Sequence, residues 1–213
     1  MTFVRARTKE QITSRQEEII NACDELLSRF GYEGVTFKAI SELTSFTRPS
    51  IYNYYKTKDE VLLDLIKREL IDWQKCLVEM MEITPTMTKE EYSRSLTQQL
   101  ESHDKLLMLS SILAIFIEVN SSVSFEKQED FEKELNKLRS TFAASVNQYF
   151  PTAVAEKKEI FQFTFFAYTF GLFPVLHPSQ KRMKVIEQTK TGLHVPDFQY
   201  ICYHGILLLL SDL

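Results

Sequence analysis

The sequence predicts an all-α protein of about nine helices. Only five Gly and six Pro occur in 213 residues, which leaves few positions for turns. Apolar residues recur at three- to four-residue spacing through most of the chain, the period of a helix with one buried face. Capping residues stand immediately before several of these runs. No segment reads convincingly as a strand, and the apolar share of 44% is enough to bury a substantial core.

Ile19, Cys23, Leu26 and Phe30, flanked by Ile20 and Leu27, predict an amphipathic helix over 13–30, with Gly31 as a left-handed C-cap. Thr36 is an N-cap, with Val35 and Ile40 placed as a hydrophobic staple around it. The second helix, 37–43, buries Phe37, Ile40 and Leu43, and a turn follows at 44–46. Thr47 opens a third short helix, 47–54, with Pro49 in the first turn, where a missing N–H does no harm.

The run Thr57-Lys58-Asp59-Glu60 is a capping box that starts a long helix from 58 to about 81. Its inner stripe is Val61, Leu62, Leu65, Ile66, Trp73, Leu77 and Met80. Thr84 and Pro85 end it. A second capping box, Thr88 to Glu91, starts a helix over about 88–101. Residues 104–119 are apolar nearly all round, as in a buried helix. Phe131, Leu135, Leu138, Phe142, Val146 and Tyr149 stripe another over about 125–149. A further helix over 152–173 is closed by Gly171 and Pro174. Residues 177–196, polar and containing Pro and Gly, read as a connection to a last helix over about 197–211.

The charge is unevenly spread. The formal net charge is −4, yet residues 1–15 carry +3 and residues 36–58 carry +3, while residues 16–35 carry −4 and residues 59–213 carry −6. Lys38, Arg48, Lys56 and Lys58 supply the second patch. Two basic patches on an acidic body suit a protein that touches phosphates with one end only.

Cys23, Cys76 and Cys202 are far apart and unpaired in pattern, which fits reduced thiols and a cytoplasmic location. Met1 to Lys9 is polar and basic, without the apolar core of a signal peptide. The apolar stretch 160–176 is at the short limit for a membrane span and reads as a buried helix. No GxSxG, HExxH, phosphate-binding loop or dinucleotide glycine fingerprint occurs, so no enzyme, cofactor or catalytic residue is expected. His103, His177, His194 and His204 lack metal-ligand spacing, and Cys202-x-His204 alone is a weak metal hint.

Three helices at 13–30, 37–43 and 47–54 with a three-residue turn form the layout of a helix-turn-helix unit, whose last helix enters the DNA major groove. The stretch from Ile19 to Leu63 resembles the N-terminal domain of the TetR family of repressors. The "FGYEGVT" link, the "IYNYYKTKDEVL" run and their spacing carry the resemblance. Two positions depart from the family pattern: Ser45 replaces the usual turn glycine, and Pro49 stands where a small residue is common. Both bear on the pose of the recognition helix.

Arg48 is the strongest candidate base reader, because a guanidinium bonds two acceptors on guanine at once. Ser50 and Asn53 are expected on the same exposed face. Tyr52, in the family's tyrosine position, would donate to a phosphate or pack on a thymine methyl. Thr36, Thr47 and Lys58 sit at helix N-termini, where free N–H groups attract phosphate, and Lys38 and Lys56 add backbone contacts. Ile51 and Tyr55 read as core, and Tyr54 as either core or groove. The arm from Thr2 to Arg15 reads equally as a DNA contact or a solvated tail.

The resemblance further implies an all-helical C-terminal domain that pairs as a homodimer through its last two long helices. The expected division is a DNA-binding domain over 1–60 and a regulatory domain over 61–213. Phe161, Phe163, Phe165, Phe166, Phe170 and Phe173 point all round one helix, so that helix must be covered on every side. One side suits the protomer core and the other a twin. A small-molecule effector is expected in an apolar cavity lined by Trp73, Leu77, Met80, Met108, Phe116, Phe165 and Tyr168, with Glu118 as a polar contact. Ordinary core packing, or solvation for Glu118, explains each of these residues as well. The expected function is a transcriptional repressor released from its operator by that effector. The competing reading is a ligand-binding or interaction protein on the same fold that has lost specific DNA binding.

Overall fold

The structure is a computed structural model, and it describes residues 9–114, 123–190, 192 and 195–213. These residues form ten helices and no strand. In order they are α1 (Lys9–Gly34), α2 (Phe37–Leu43), α3 (Arg48–Ile51), α4 (Lys58–Ile83) and α5 (Lys89–Ser102). There follow α6 (Asp104–Ala114), α7 (Phe125–Tyr149), α8 (Ala155–Leu176), α9 (Gln180–Thr189) and α10 (Phe198–Leu209). The all-α class is as the sequence predicts. The described chain falls into two compact units. One holds residues up to 68 with 123–132; the other holds 69–114 with 133–213. Helices α4 and α7 each contribute residues to both.

In the first unit, Ile19, Cys23, Val35, Ile40, Ile51, Tyr55, Val61, Leu62 and Leu65 are buried almost completely. The staple expected around Thr36 is present, since Val35 and Ile40 are both fully buried and Thr36 Oγ1 accepts the Ala39 N–H. Two residues expected inside are outside: Phe30 and Leu43 are both exposed. Each is the last apolar residue of its helix stripe, where the chain leaves the core. Gly31 has the positive φ expected, 68°, but its ψ of −172° is extended rather than left-handed. The chain therefore kinks there, and a short helical turn continues to Gly34.

In the second unit the core is aromatic. Trp73 from α4 lies 6.3 Å from the Phe165 ring of α8 and 6.4 Å from Phe142 of α7, and Phe142 stacks on Phe165 at 4.4 Å. Fully burying each such side chain contributes about 1.5–3 kcal/mol. The capping box at Thr88 and Glu91 is complete. The stripe of α7, from Phe131 to Tyr149, is buried throughout.

Two expectations about helix boundaries fail here, and a third stretch is described only in part. Helix α8 does not stop at Gly171 and Pro174 but runs through both to Leu176. Pro174 removes one backbone donor, yet it sits in the last turn, where little helix remains to disrupt. Beyond it the Phe173 carbonyl still accepts from the His177 N–H at 2.9 Å. The connection expected over 177–196 contains helix α9, capped by Ser179, whose hydroxyl accepts the Arg182 N–H. Nothing on α9 is buried. The stretch 104–119 is described only to 114, where Leu106, Leu107 and Leu109 are buried but Met108 and Ile112 are half-exposed.

Helix α8 also differs from a helix buried all round. Phe161, Phe165, Thr169, Leu172 and Leu176 face the core, while Ile160, Phe163 and Val175 are exposed. Among the described residues it is the one helix long and apolar enough to cross a membrane.

Candidate nucleic-acid interface

Helix α3 has four residues, fewer than the 47–54 expected, and turns carry the chain on to Tyr55. So short a helix cannot hold its own pose, because it closes almost no internal hydrogen bonds. Its neighbours hold it. Ile51 is fully buried, and the Tyr52 ring meets Phe37 of α2 edge-on at 4.9 Å. The Tyr54 ring meets Phe46 at 5.7 Å. Tyr55 is buried and donates its hydroxyl to Asp64 of α4 at 2.9 Å. Burial first, then the Asp64 charge and hydrogen bond, push the Tyr55 phenol far above its ordinary range.

The turn between α2 and α3 is held from α1. The Glu18 carboxylate accepts from the Ser45 N–H at 2.6 Å and from the Ser45 hydroxyl at 3.2 Å. Ser45 does not adopt a positive φ, so this turn has no need of a glycine. The guanidinium of Arg15 lies 5.3 Å over the Phe46 ring of the same turn. That places Arg15 beside the helix-turn-helix instead of on a separate arm.

The predicted contact residues divide into two groups. Arg48, Tyr52, Asn53, Lys56, Thr36, Lys38 and Thr47 are exposed. Lys38 makes only a loose 4.0 Å pair with Glu42. Thr36 uses its oxygen to cap α2, which leaves its hydroxyl proton to donate. Ser50, Lys58 and Tyr54 are engaged within the unit. Ser50, expected on the exposed face, is buried; its hydroxyl lies 2.7 Å from the Thr47 carbonyl and 2.9 Å from the Thr47 hydroxyl. The Lys58 ammonium lies 3.6 Å over the Tyr32 ring and donates to the Tyr32 carbonyl at 3.2 Å.

Of the expected effector lining, Trp73, Leu77, Met80 and Phe165 are core residues. Trp73 donates its indole N–H to Gln99 at 3.1 Å, and Met80 sulfur accepts from Ser95. Tyr168 donates to the Ile201 carbonyl at 2.7 Å, and Met108 is half-exposed. Phe116 and Glu118 lie outside the described residues. A groove of about 600 Å³ on α7 and α8 is lined by Arg139, Glu159, Gln162, Phe163, Phe166, Ala167 and Phe170, none of them in the expected set. Cys202 and His204 do not converge: the thiol is buried, whereas His204 is exposed against Tyr200.

Residues 19–65 match the family model described as bacterial regulatory proteins, tetR family. Residues 67–211 match the model for the tetracyclin repressor-like C-terminal domain. The chain belongs to the TetR family. A transcriptional regulator of the TerR/AcrR family from Aquifex aeolicus is similar over 92% of this chain and 99% of its own, at 17% identity and a TM-score of 0.55. The fatty acid degradation regulator FadR from Bacillus halodurans is similar over 92% and 98%, at 16% identity and a TM-score of 0.57. AmtR from Mycobacterium smegmatis is similar over 99% and 90%, at 14% identity and a TM-score of 0.52. At these identities the likeness establishes the fold. No curated protein matches by sequence.

Membership in the TetR family makes this chain a DNA-binding transcription regulator, and its fold is that of regulators rather than enzymes. Against the family pattern, the Glu18–Ser45 bonds explain how this TetR-family turn dispenses with its glycine. Sequence reasoning missed Glu18, and it placed Arg15 at the end of a basic arm rather than over Phe46. Glu18 is one of six acids in α1, next to Glu17, and nothing local tied it to a turn 27 residues away.

Proposed function

We propose that this protein is a homodimeric repressor whose Arg48 reads a base edge in the major groove, and that a small-molecule effector releases it from its operator. The observation that carries this reading is the division of labour on and around α3. Ser50, Ile51 and Tyr55 face inward and fix the helix, while Arg48, Tyr52 and Asn53 remain exposed. Thr36, Lys38, Thr47, Tyr54, Lys56 and Lys58 belong to the same proposed contact surface. Residues 1–60 form the DNA-binding part and 61–213 the regulatory part, in a cytoplasmic protein.

Two copies would set two recognition helices about 34–36 Å apart, the spacing of successive major grooves. Arg48→Ala is expected to weaken binding by about 1–3 kcal/mol and relax one base preference. Fluorescence anisotropy at several salt concentrations, with the DNA upstream of the protein's own gene, measures both. Unchanged affinity and preference in the variant would remove Arg48 from the reading.

The effector part rests on the aromatic core. Trp73 is the single tryptophan of the chain. An apolar ligand entering among Trp73, Leu77, Met80, Met108, Phe165 and Tyr168 would displace its ring contacts and change its emission. Phe116 and Glu118 complete the proposed lining. A compound that dissociates the DNA complex without altering Trp73 fluorescence binds elsewhere.

A further inference from the structure

We propose that Lys127, in the first turn of α7, is a positioning residue for the recognition helix, acting through Asp64 and Tyr55. The inference rests on the DNA-binding role of α3 and assigns part of its geometry to a residue far outside the helix-turn-helix sequence.

The Lys127 ammonium donates to Asp64 Oδ2 at 2.5 Å, and Tyr55 donates its hydroxyl to the same oxygen at 2.9 Å. The ammonium also lies 4.8 Å over the Tyr55 ring. Lys67, the other cation on this carboxylate, meets Oδ1 at 3.2 Å and pairs with Asp130. Lys127 is therefore the cation that shares the oxygen used by Tyr55 and covers its ring. A second tie runs in parallel. Glu60 accepts from the Lys56 N–H at 2.7 Å through one oxygen and from the Ser124 N–H at 3.2 Å through the other. The start of α7 thus reaches two consecutive residues, Tyr55 and Lys56, at the exit from α3.

Stability is a poor account of this arrangement. A largely buried ion pair contributes little net stability, because desolvation offsets most of the attraction, whereas its geometry is demanding. An α3 of four residues needs an external fix. The side chains that read DNA, Arg48 and Asn53, lie within seven residues of Tyr55 in sequence. Misplacement of Tyr55 is passed directly to them.

The test uses the full chain with Lys127→Met, Lys127→Arg and Tyr55→Phe. Hydrogen exchange read by mass spectrometry is expected to be about tenfold faster over residues 48–56 in Lys127→Met, a local opening, with residues 19–27 of α1 unchanged. Lys127→Arg should restore protection, and Tyr55→Phe should reproduce the loss should Lys127→Met fail to fold. Unchanged exchange over 48–56, equal acceleration in α1, or no rescue by arginine would overturn the proposal. The same proteins are then compared on the duplex that the unaltered chain enriches from a randomised pool. Its preference over random duplex should fall about tenfold in Lys127→Met and recover in Lys127→Arg. Enrichment of no duplex by the unaltered chain would count against the base-reading role of Arg48, while the exchange measurement would still decide the role of Lys127.

Discussion

Single residues show how local surroundings set chemistry here. Glu60 is 2% exposed, and burial alone would raise its pKa. The Lys56 and Ser124 N–H bonds and the Lys127 charge outweigh burial and leave it below the ordinary value of 4.5. A carboxylate depressed on folding adds stability above its unfolded pKa and loses it as pH falls through the folded one. The thermal midpoint should therefore drop on acidification below about pH 4.5. Glu60→Gln should cost about 1–3 kcal/mol at neutral pH and flatten part of that acid loss. Melting curves from pH 7 to pH 3 test both. The thiols separate by burial. Desolvation pushes Cys23 up to about 12 and Cys202 up to about 11, and both are fully buried. Cys76 is also raised by burial, but it is half-exposed. Alkylation of the native chain should reach Cys76, slowly, and the other two only after unfolding. Peptide mapping after iodoacetamide treatment reads the order. Exposure at this scale was partly legible in advance. Arg48 and Asn53 are outside as expected, but Ser50 turned inward because its hydroxyl has a nearer acceptor in Thr47, an outcome that periodicity does not register.

At the scale of elements, helix interiors were readable and helix ends were not. The stripes of α4 and α7 are buried at every position expected, because apolar spacing records which face meets the core. Ends depend on contacts that spacing does not contain. Gly171 and Pro174 looked like a stop but lie within α8, and α9 hid in a polar segment because it has no buried face to leave a stripe. The ligand lining was the least legible part, since a core aromatic and a pocket aromatic have the same sequence pattern. Gly31 gives a test of one end. With φ 68° and ψ −172° it occupies a region open essentially to glycine alone, although space for a Cβ is free. Gly31→Ala should cost about 1–3 kcal/mol through backbone strain. Gly205 of α10 tests a contact between helices. A Cβ there would lie 2.0 Å from the Tyr168 hydroxyl of α8. Gly205→Ala should therefore expel that ring, break its bond to Ile201 and destabilise the chain by about 1–3 kcal/mol, as overpacking does. Urea unfolding of the two variants beside the unaltered chain measures each cost.

The question at the scale of the whole molecule is what covers α8. Its outward stripe runs Ile160, Phe163, Ala167 and Gly171, at helical spacing, with Phe163 78% exposed. On α10, Leu208 is 73% exposed. A folded chain seldom leaves such a stripe to water, and contiguous apolar patches mark interaction surfaces. A second copy of α8 is the occupant proposed, and the small residues Ala167 and Gly171 would let two helices approach closely. Gly171 separates this idea from internal packing, because a Cβ there meets nothing within 4 Å. Within one protomer, Gly171→Leu should stabilise the helix by about 0.5–1 kcal/mol, since glycine is a poor helix former. Across a paired face the same leucine would hold two helices apart. The expected result is a protomer that melts no lower but stays monomeric at protein concentrations where the unaltered chain is expected to pair. Phe163→Asp should dissociate it further by placing a charge in the seam. Both should lose DNA affinity together with dimerisation, because a lone recognition helix gives up the second half-site. Sedimentation and anisotropy on the same samples make the comparison. A Gly171→Leu chain that stays dimeric and binds DNA as before would mean the α8 stripe is covered in some other way.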